Sequence, residues 1–366
     1  MHINDLLNKM VESKASDLHL KVGRPPLIRI DGKMEQLELP VLTEADVEEI
    51  LFAMMSQRQR LKFSEANEID LSYSPTGSAR YRINAFRQKS TVELIIRMIP
   101  KDIPSLDSLV LPPALKTIAL ETRGLILMTG ATGSGKSTTL AAMVKYINEN
   151  QPFHIITVED PIEFIHSDIK SSVTQRELGI DTDSYAVALK YVLRQDPDVI
   201  FIGEMRDVET VSAAVSAGET GHLVLSTLHT IDASQTIDRL IDFYPASQQN
   251  QVRNQFANIL TAIVSMRLIE KADGKGRVPA VEVMIGTPTI KSLIRENKLS
   301  SIKAMIQQGS AQYGMQTFDQ SLAELYKKGL ITLEMALAEA TSKNDLKLSL
   351  SGIISSVDSA RERLRQ

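Results

Sequence analysis

The run Gly130-Ala131-Thr132-Gly133-Ser134-Gly135-Lys136-Ser137 fits the pattern G-x-x-x-x-G-K-[ST] and dictates what must lie on either side of it. Such a loop needs a strand before it and a helix after it. Gly124 to Thr129 is an apolar strand candidate, and Leu140, Met143, Val144 and Ile147 recur at helical spacing. The glycines let successive backbone N–H groups converge on phosphate, and the helix N-terminus adds its positive dipole. Lys136 is placed to reach the outer phosphates, and the Ser137 hydroxyl can ligate Mg²⁺. The nucleotide-binding set is therefore Gly130, Thr132, Gly133, Ser134, Gly135, Lys136, Ser137 and Thr138.

A chain of 366 residues exceeds one ordinary core and implies two domains. Its net charge of −4 supplies no basic excess for nucleic-acid binding, although a local basic groove stays open as a possibility. The absence of cysteine removes disulfides and thiolate zinc sites. No apolar run reaches the length of a membrane span, and Asp5 and Glu12 stand where a signal peptide would be basic and then apolar. A cytoplasmic protein is expected.

In the first hundred residues, Ile3, Leu6, Leu7 and Met10 make one stripe of an amphipathic helix over 2–14. Asp31-Gly32 between two short apolar runs signals a hairpin. Thr43 can cap a helix whose buried face is Val47, Ile50, Leu51 and Met54. Residues 68–73, 79–87 and 92–99 read as strands, the first two joined through Ser74-Pro75-Thr76-Gly77-Ser78. This is an α+β domain. Alternation along a strand puts Arg80, Arg82 and Asn84 on one face, with Arg87 and Arg97 near in sequence. Surface arginines are ordinarily just solvated, but an arginine-rich face beside a nucleotide domain is also a candidate for γ-phosphate contact. Pro100, Pro104, Pro112 and Pro113 mark a linker, and the next helix starts near Ala114. Beyond it, strand and helix alternate, which argues for a mainly parallel sheet covered by helices.

Ligands of such sheets bind at the C-terminal ends of the strands. His154 to Val158 delivers Glu159, Asp160 and Glu163 there, either to hold Mg²⁺ through water and orient an attacking water or simply to form a polar turn around Pro161. Ser184 opens a helix to about Gln195, and Val199 to Ile202 leads to Gly203-Glu204. Glycine occupies the position where an aspartate is usual, so Glu204 must serve as the base that polarises water, with Mg²⁺ contact through water as a second role. His222 and His229 bracket the strand Leu223 to Thr227; His229, after the strand, is the better placed to sense phosphate.

Together these blocks resemble the secretion-superfamily ATPases, and within them the type IV pilus retraction ATPases. The resemblance covers nearly the whole chain. It rests on Ala15-Ser16-Asp17-Leu18-His19-Leu20, the phosphate loop, Thr157 to Glu163 as an acidic box, Gly203-Glu204-Met205-Arg206-Asp207, and Gly221 to Thr230 as a histidine box. Gly203 is normal for that family. The resemblance implies a PAS-like N-terminal domain over 1–99, a linker over 100–113 and a RecA-like ATPase domain over 114–366 with a helical C-terminal part. It implies a homohexamer that binds ATP and Mg²⁺ between the domains, with Glu204 as catalytic base, Glu163 as a second essential acid, both His222 and His229 functional, and Arg82 and Arg97 approaching the nucleotide. It also implies peripheral association with the cytoplasmic face of an inner-membrane pilus platform protein.

Retraction motors of the family carry an Ala-Ile-Arg-Asn-Leu-Ile-Arg-Glu motif; here Thr289 to Glu296 matches, departing at Thr289, Lys291 and Ser292. The apolar positions Ile290, Leu293 and Ile294 equally suit core packing. Retraction is the expected role. Pilus assembly, type II secretion or an accessory retraction role are the alternatives within the family, and a nucleic-acid-dependent RecA-like motor is the alternative from another class.

Overall fold

The computed structural model describes residues 2–30, 32–75, 79–99 and 102–350. Asp31 of the expected hairpin, Thr76 to Ser78 of the expected turn and Pro100 of the expected linker lie outside the described residues. The chain divides into two units, Met1–Asp102 with Glu163–Ile165, and Ile103–Ile162 with His166–Gln366.

In the first unit, strands β1 (Asp17–Lys21), β2 (Leu27–Ile30), β3 (Lys33–Gln36), β4 (Glu68–Tyr73), β5 (Arg80–Gln88) and β6 (Thr91–Ile99) form one sheet in the order β3-β2-β1-β6-β5-β4. Every pairing is antiparallel. Between β5 and β6 the turn residues Lys89 and Ser90 both take positive φ, 48° and 66°, the geometry that matches the twist of a tight hairpin. One face buries Leu18, Leu20, Tyr81, Ile83, Leu94 and Ile96 against helices Ile3–Glu12 and Glu44–Met54. Thr43 and Asp46 cap the second of these helices reciprocally. The strand β1 was not expected. With only Leu18 and Leu20 on its buried face, Asp17–Lys21 is too short to display a period, yet it sits in the interior of the sheet.

The second unit holds β7 (Gly124–Thr129), β8 (His154–Glu159), β9 (Ser172–Glu177), β10 (Val199–Ile202), β11 (Leu223–Leu228), β12 (Leu260–Glu270) and β13 (Arg277–Ile285), ordered β13-β12-β7-β11-β10-β8-β9. All neighbours are parallel except β12 and β13. Every residue of β7, β10 and β11 is buried, as both faces carry helices. In register, Thr129 pairs with Leu228, and Ile202 with Ser226 and Val158, so these four strands end along one edge. The strand β12 pairs with β7 as far as Ser265 and then continues with β13 alone to Glu270. Its far end is packed with Phe318, Leu322 and Leu325 of helix Phe318–Lys327.

Two expectations need correction here. From Ile103 onward the linker segment belongs to the second unit: Leu106 is buried beside helix Lys136–Asn150, and Lys145 Nζ donates to the Ile103 carbonyl at 2.8 Å. The helix opened by Ser184 spans Tyr185–Val192 rather than reaching Gln195: Arg194 and Gln195 bond three residues back, to the Tyr191 and Val192 carbonyls, and Asp196 then turns to φ 54° ahead of Pro197. Among the described residues, no helix is long and apolar enough to cross a membrane.

Candidate nucleotide site

Where it leaves β7, at Gly130, the loop has room for backbone only. Gly130 has φ 142°, and a Cβ there would lie 2.5 Å from the Met266 carbonyl oxygen and 2.6 Å from Ser134 Oγ. Lys136 is buried and folds back over the loop, its Nζ donating to the carbonyls of Gly130 at 2.6 Å and Ala131 at 2.9 Å. Two features fit an anion. The 15-residue helix Lys136–Asn150 begins at Gly135 with no side-chain cap, and the buried Ser134 Oγ has no hydrogen-bond partner among the described residues. Thr132 and Gly133 are exposed on the rim, and Ser137 and Thr138 are half-buried in the first turn of the helix. From behind, β12 braces the loop through Ser265, whose Oγ accepts from Thr129 Oγ1 at 2.8 Å.

Along the same edge, Glu204 follows β10 and His229 follows β11. His229 Nε2 lies 3.2 Å from Glu204 Oε1, and Arg206 Nε lies 2.7 Å from Glu204 Oε2. Arg206 also reaches Asp160 Oδ2 at 3.6 Å. Gly203 has a steric reason: a Cβ would sit 2.7 Å from the Tyr185 hydroxyl and 3.4 Å from Glu159 Cα. Burial, reinforced by the Asp160 carboxylate, pushes the Tyr185 phenol far above the usual tyrosine range, so it stays a neutral wall of the site.

Not all the expected residues meet. His222 precedes the strand that His229 follows, seven residues and about 23 Å away at a strand rise of ~3.3 Å per residue. It is held there by Thr220 Oγ1 and the Ala217 carbonyl, each 3.0 Å from its Nδ1. The three acids expected to act from one strand tip also separate. Glu159 is buried, accepting from Thr157 Oγ1 at 2.6 Å and Gln175 Nε2 at 3.2 Å; Asp160 faces Arg206; Glu163 is exposed and groups with the first unit. No cluster of three or more histidine or acidic side chains that could hold a metal occurs among the described residues. For Mg²⁺ this leaves the Ser137 hydroxyl, a hard oxygen donor suited to an ion that takes its remaining ligands from phosphate and water.

In the first unit, one rung of the sheet runs Arg29, Asp17, Arg97, Arg82. Arg97 Nε donates to Asp17 Oδ1 at 2.8 Å, and Arg82 lies 3.7 Å from Asp70. Burial pushes the Asp17 carboxyl up, but the Ser16 hydroxyl and Arg97 outweigh it and hold the group below the usual carboxylate range. Arg82 and Arg97 are thus directly opposite one another, with the second steered by Asp17.

Sequence reasoning missed Arg206, Tyr185 and Ser265 as parts of this arrangement. The spacing of Glu204 and Arg206, two apart in an irregular segment, was the available signal for the first. The others come from distant positions that only the fold brings in. The loop beyond His229 is tied down by Asp232, which caps helix Ala233–Asp242, and by Glu282 of β13, which accepts from Ala233 N at 2.9 Å. Burial pushes the Glu282 carboxyl up to about 7. A raised folded-state value means that the native state keeps a proton the unfolded chain has lost, so stability falls as pH rises through about 7. Glu282→Gln is therefore expected to gain in melting temperature over wild type between pH 5 and pH 8; parallel melting curves at all pH values would refute the assignment.

The chain matches the model of the type II/IV secretion system protein family over residues 1–364. It is 46% identical to the type IV pilus retractation ATPase PilT of Pseudomonas aeruginosa over 340 residues, 93% of this chain and 98% of that one. It is 45% identical over 350 residues to the type IV pilus ATPase PilU of the same organism, covering 96% of this chain and 91% of the relative. The crystal structure of the pilus retraction motor PilT with bound ADP is similar with a TM-score of 0.88 at 45% identity, covering 95% of this chain and 99% of that one. With a phosphate loop, a strand-end glutamate and a histidine gathered on one sheet edge, and with similarity running from end to end, the chain belongs to the type II/IV secretion system protein family.

Proposed function

We propose that this chain is an ATP-hydrolysing motor that powers retraction of type IV pili, and so twitching motility. The observation that carries this reading is the match along nearly the full length of both chains to a retraction motor solved with ADP. The finer reading adds a homohexamer, a PAS-like first domain over 1–99, a RecA-like domain over 114–366, and a cytoplasmic position against an inner-membrane platform protein.

The phosphate loop and Lys136 bind the triphosphate, and Ser137 would hold Mg²⁺, which when bound would neutralise charge developing on the phosphates. Glu204 orients and deprotonates the attacking water, and His229 beside it reports on the γ-phosphate. In this reading Arg82, Arg97 and Glu163 act on the nucleotide within the ring, and His222, at the far end of its strand, does so through a neighbouring subunit. Loss of the γ-phosphate then removes a group gripped from several sides, and the ring changes shape.

The test is a Glu204→Gln allele in the source organism. Abundant surface pili without twitching is the expected result. Bare cells would assign the chain to assembly, and unchanged pili with normal movement would overturn the retraction reading in favour of an accessory, secretion or non-pilus role. Because identity to PilU is nearly that to PilT, an accessory motor is the second reading. It predicts that twitching persists while retraction under load weakens.

A further inference from the structure

We propose that Arg206 is a positioning residue for Glu204, bracing its carboxylate between the tips of β8 and β10 so that it faces the reacting water in one orientation. The proposal rests on the reading of Glu204 as the base. In the loop after β10, alternate residues are pinned. Gly203 N donates to the Val158 carbonyl at 2.8 Å and the Gly203 carbonyl accepts from Thr227 Oγ1 at 2.7 Å. Met205 is buried and its N–H donates to the Thr227 carbonyl at 3.1 Å, while Asp207 caps helix Val208–Glu219. Only Glu204 and Arg206 are left to turn toward each other.

The guanidinium then acts as a cross-brace. Nε holds Glu204 Oε2 at 2.7 Å, and Nη1 lies 3.6 Å from Asp160 Oδ2 beyond β8. His229, beyond β11, takes the other oxygen at 3.2 Å. Three strand ends thereby fix one carboxylate. A carboxylate offers about four acceptor positions, so two donors still leave capacity for a water. The plain alternative is a surface ion pair, which contributes about 0–1 kcal/mol. Against it stands the asymmetry of exposure: the Arg206 side chain is 56% exposed but Glu204 only 18%. A long exposed arginine is here spent on orienting a nearly covered carboxylate, and its planar fork spans two acids where a lysine could reach one.

The experiment is steady-state ATPase kinetics on the full chain, with fluorescent ADP affinity measured in parallel. Arg206→Ala should lower kcat by on the order of tenfold with KM and ADP affinity within about twofold, as expected for a misaligned catalytic group. Arg206→Lys should recover part of that loss. Asp160→Asn should cost a few-fold alone and add nothing to Arg206→Ala, since both remove one brace. Wild-type kcat in Arg206→Ala would overturn the proposal, and so would a parallel loss of ADP affinity, which would make Arg206 a nucleotide contact. Glu204→Gln in the same assay separates the two claims: full turnover in that variant sinks the base assignment itself, whereas an inactive Glu204→Gln beside a normal Arg206→Ala sinks only the brace.

Discussion

Glu204→Gln is expected to lower kcat for ATP hydrolysis by on the order of 10²–10³ while ADP affinity stays within about twofold of wild type. The substitution keeps the length and the planar end of the side chain, so His229 at 3.2 Å and Arg206 at 2.7 Å still meet a group of the same shape. What disappears is the negative charge and the ability to take a proton from water. The Arg206 guanidinium is not stranded, because it is half exposed and retains Asp160. Folding should therefore survive and binding should persist, since the phosphate loop lies on a different strand. Single-turnover hydrolysis with fluorescent ADP titration checks both halves; retained kcat would place the base elsewhere on the sheet edge.

Gly130→Ala should be the most damaging single methyl group in the phosphate loop. At φ 142° a side chain is strained, and the added Cβ would meet the Met266 carbonyl at 2.5 Å and Ser134 Oγ at 2.6 Å. The serine can turn away, but the carbonyl belongs to β12 and cannot. The loop must lift, which should cost about 1–3 kcal/mol of stability and weaken ADP binding by on the order of tenfold or more, because its N–H groups no longer converge. Gly133 is the control. It also has positive φ, 78°, but no atom of the described residues lies within 4 Å of a Cβ, so Gly133→Ala should cost only the backbone strain of about 1–2 kcal/mol. Equal effects of the two substitutions on ADP affinity would show that strain rather than the collision with β12 governs the loop.

Much of this arrangement is legible in the sequence, for identifiable reasons. The strands β7, β10 and β11 are buried on both faces, so they read as largely apolar runs, and the polar residues at or just beyond their ends, Thr129, Glu204 and His229, announce the functional edge. Strand direction alone separates His229 from His222. Other elements left no comparable trace. Ser172–Glu177, an edge strand, is mostly polar, and the long β12–β13 hairpin offers a continuous pattern that fits more than one structure. The divergence of Glu159, Asp160 and Glu163 depends on Thr157 and Gln175 drawing the first of them inward, a contact between strands that spacing does not encode. The segment Thr289 to Glu296 is a case where packing explains the pattern: Ile290 and Ile294 are fully buried, while Lys291 Nζ and Arg295 grip Asn258 at 2.9 and 2.7 Å.

The overhang of β12 has a mechanical consequence. Its first half is sheet interior bonded to the strand that launches the phosphate loop, and its second half is the floor on which the last helices rest: Arg267 stacks on Phe318 at 4.1 Å and donates to the Glu339 carbonyl at 2.8 Å. Between the two halves lies Met266, whose carbonyl abuts Gly130. A cantilever clamped at its root cannot bend at the clamp without swinging its tip. A displacement of Gly130 would therefore press on β12 and, through the close packing along it, on helix Phe318–Lys327.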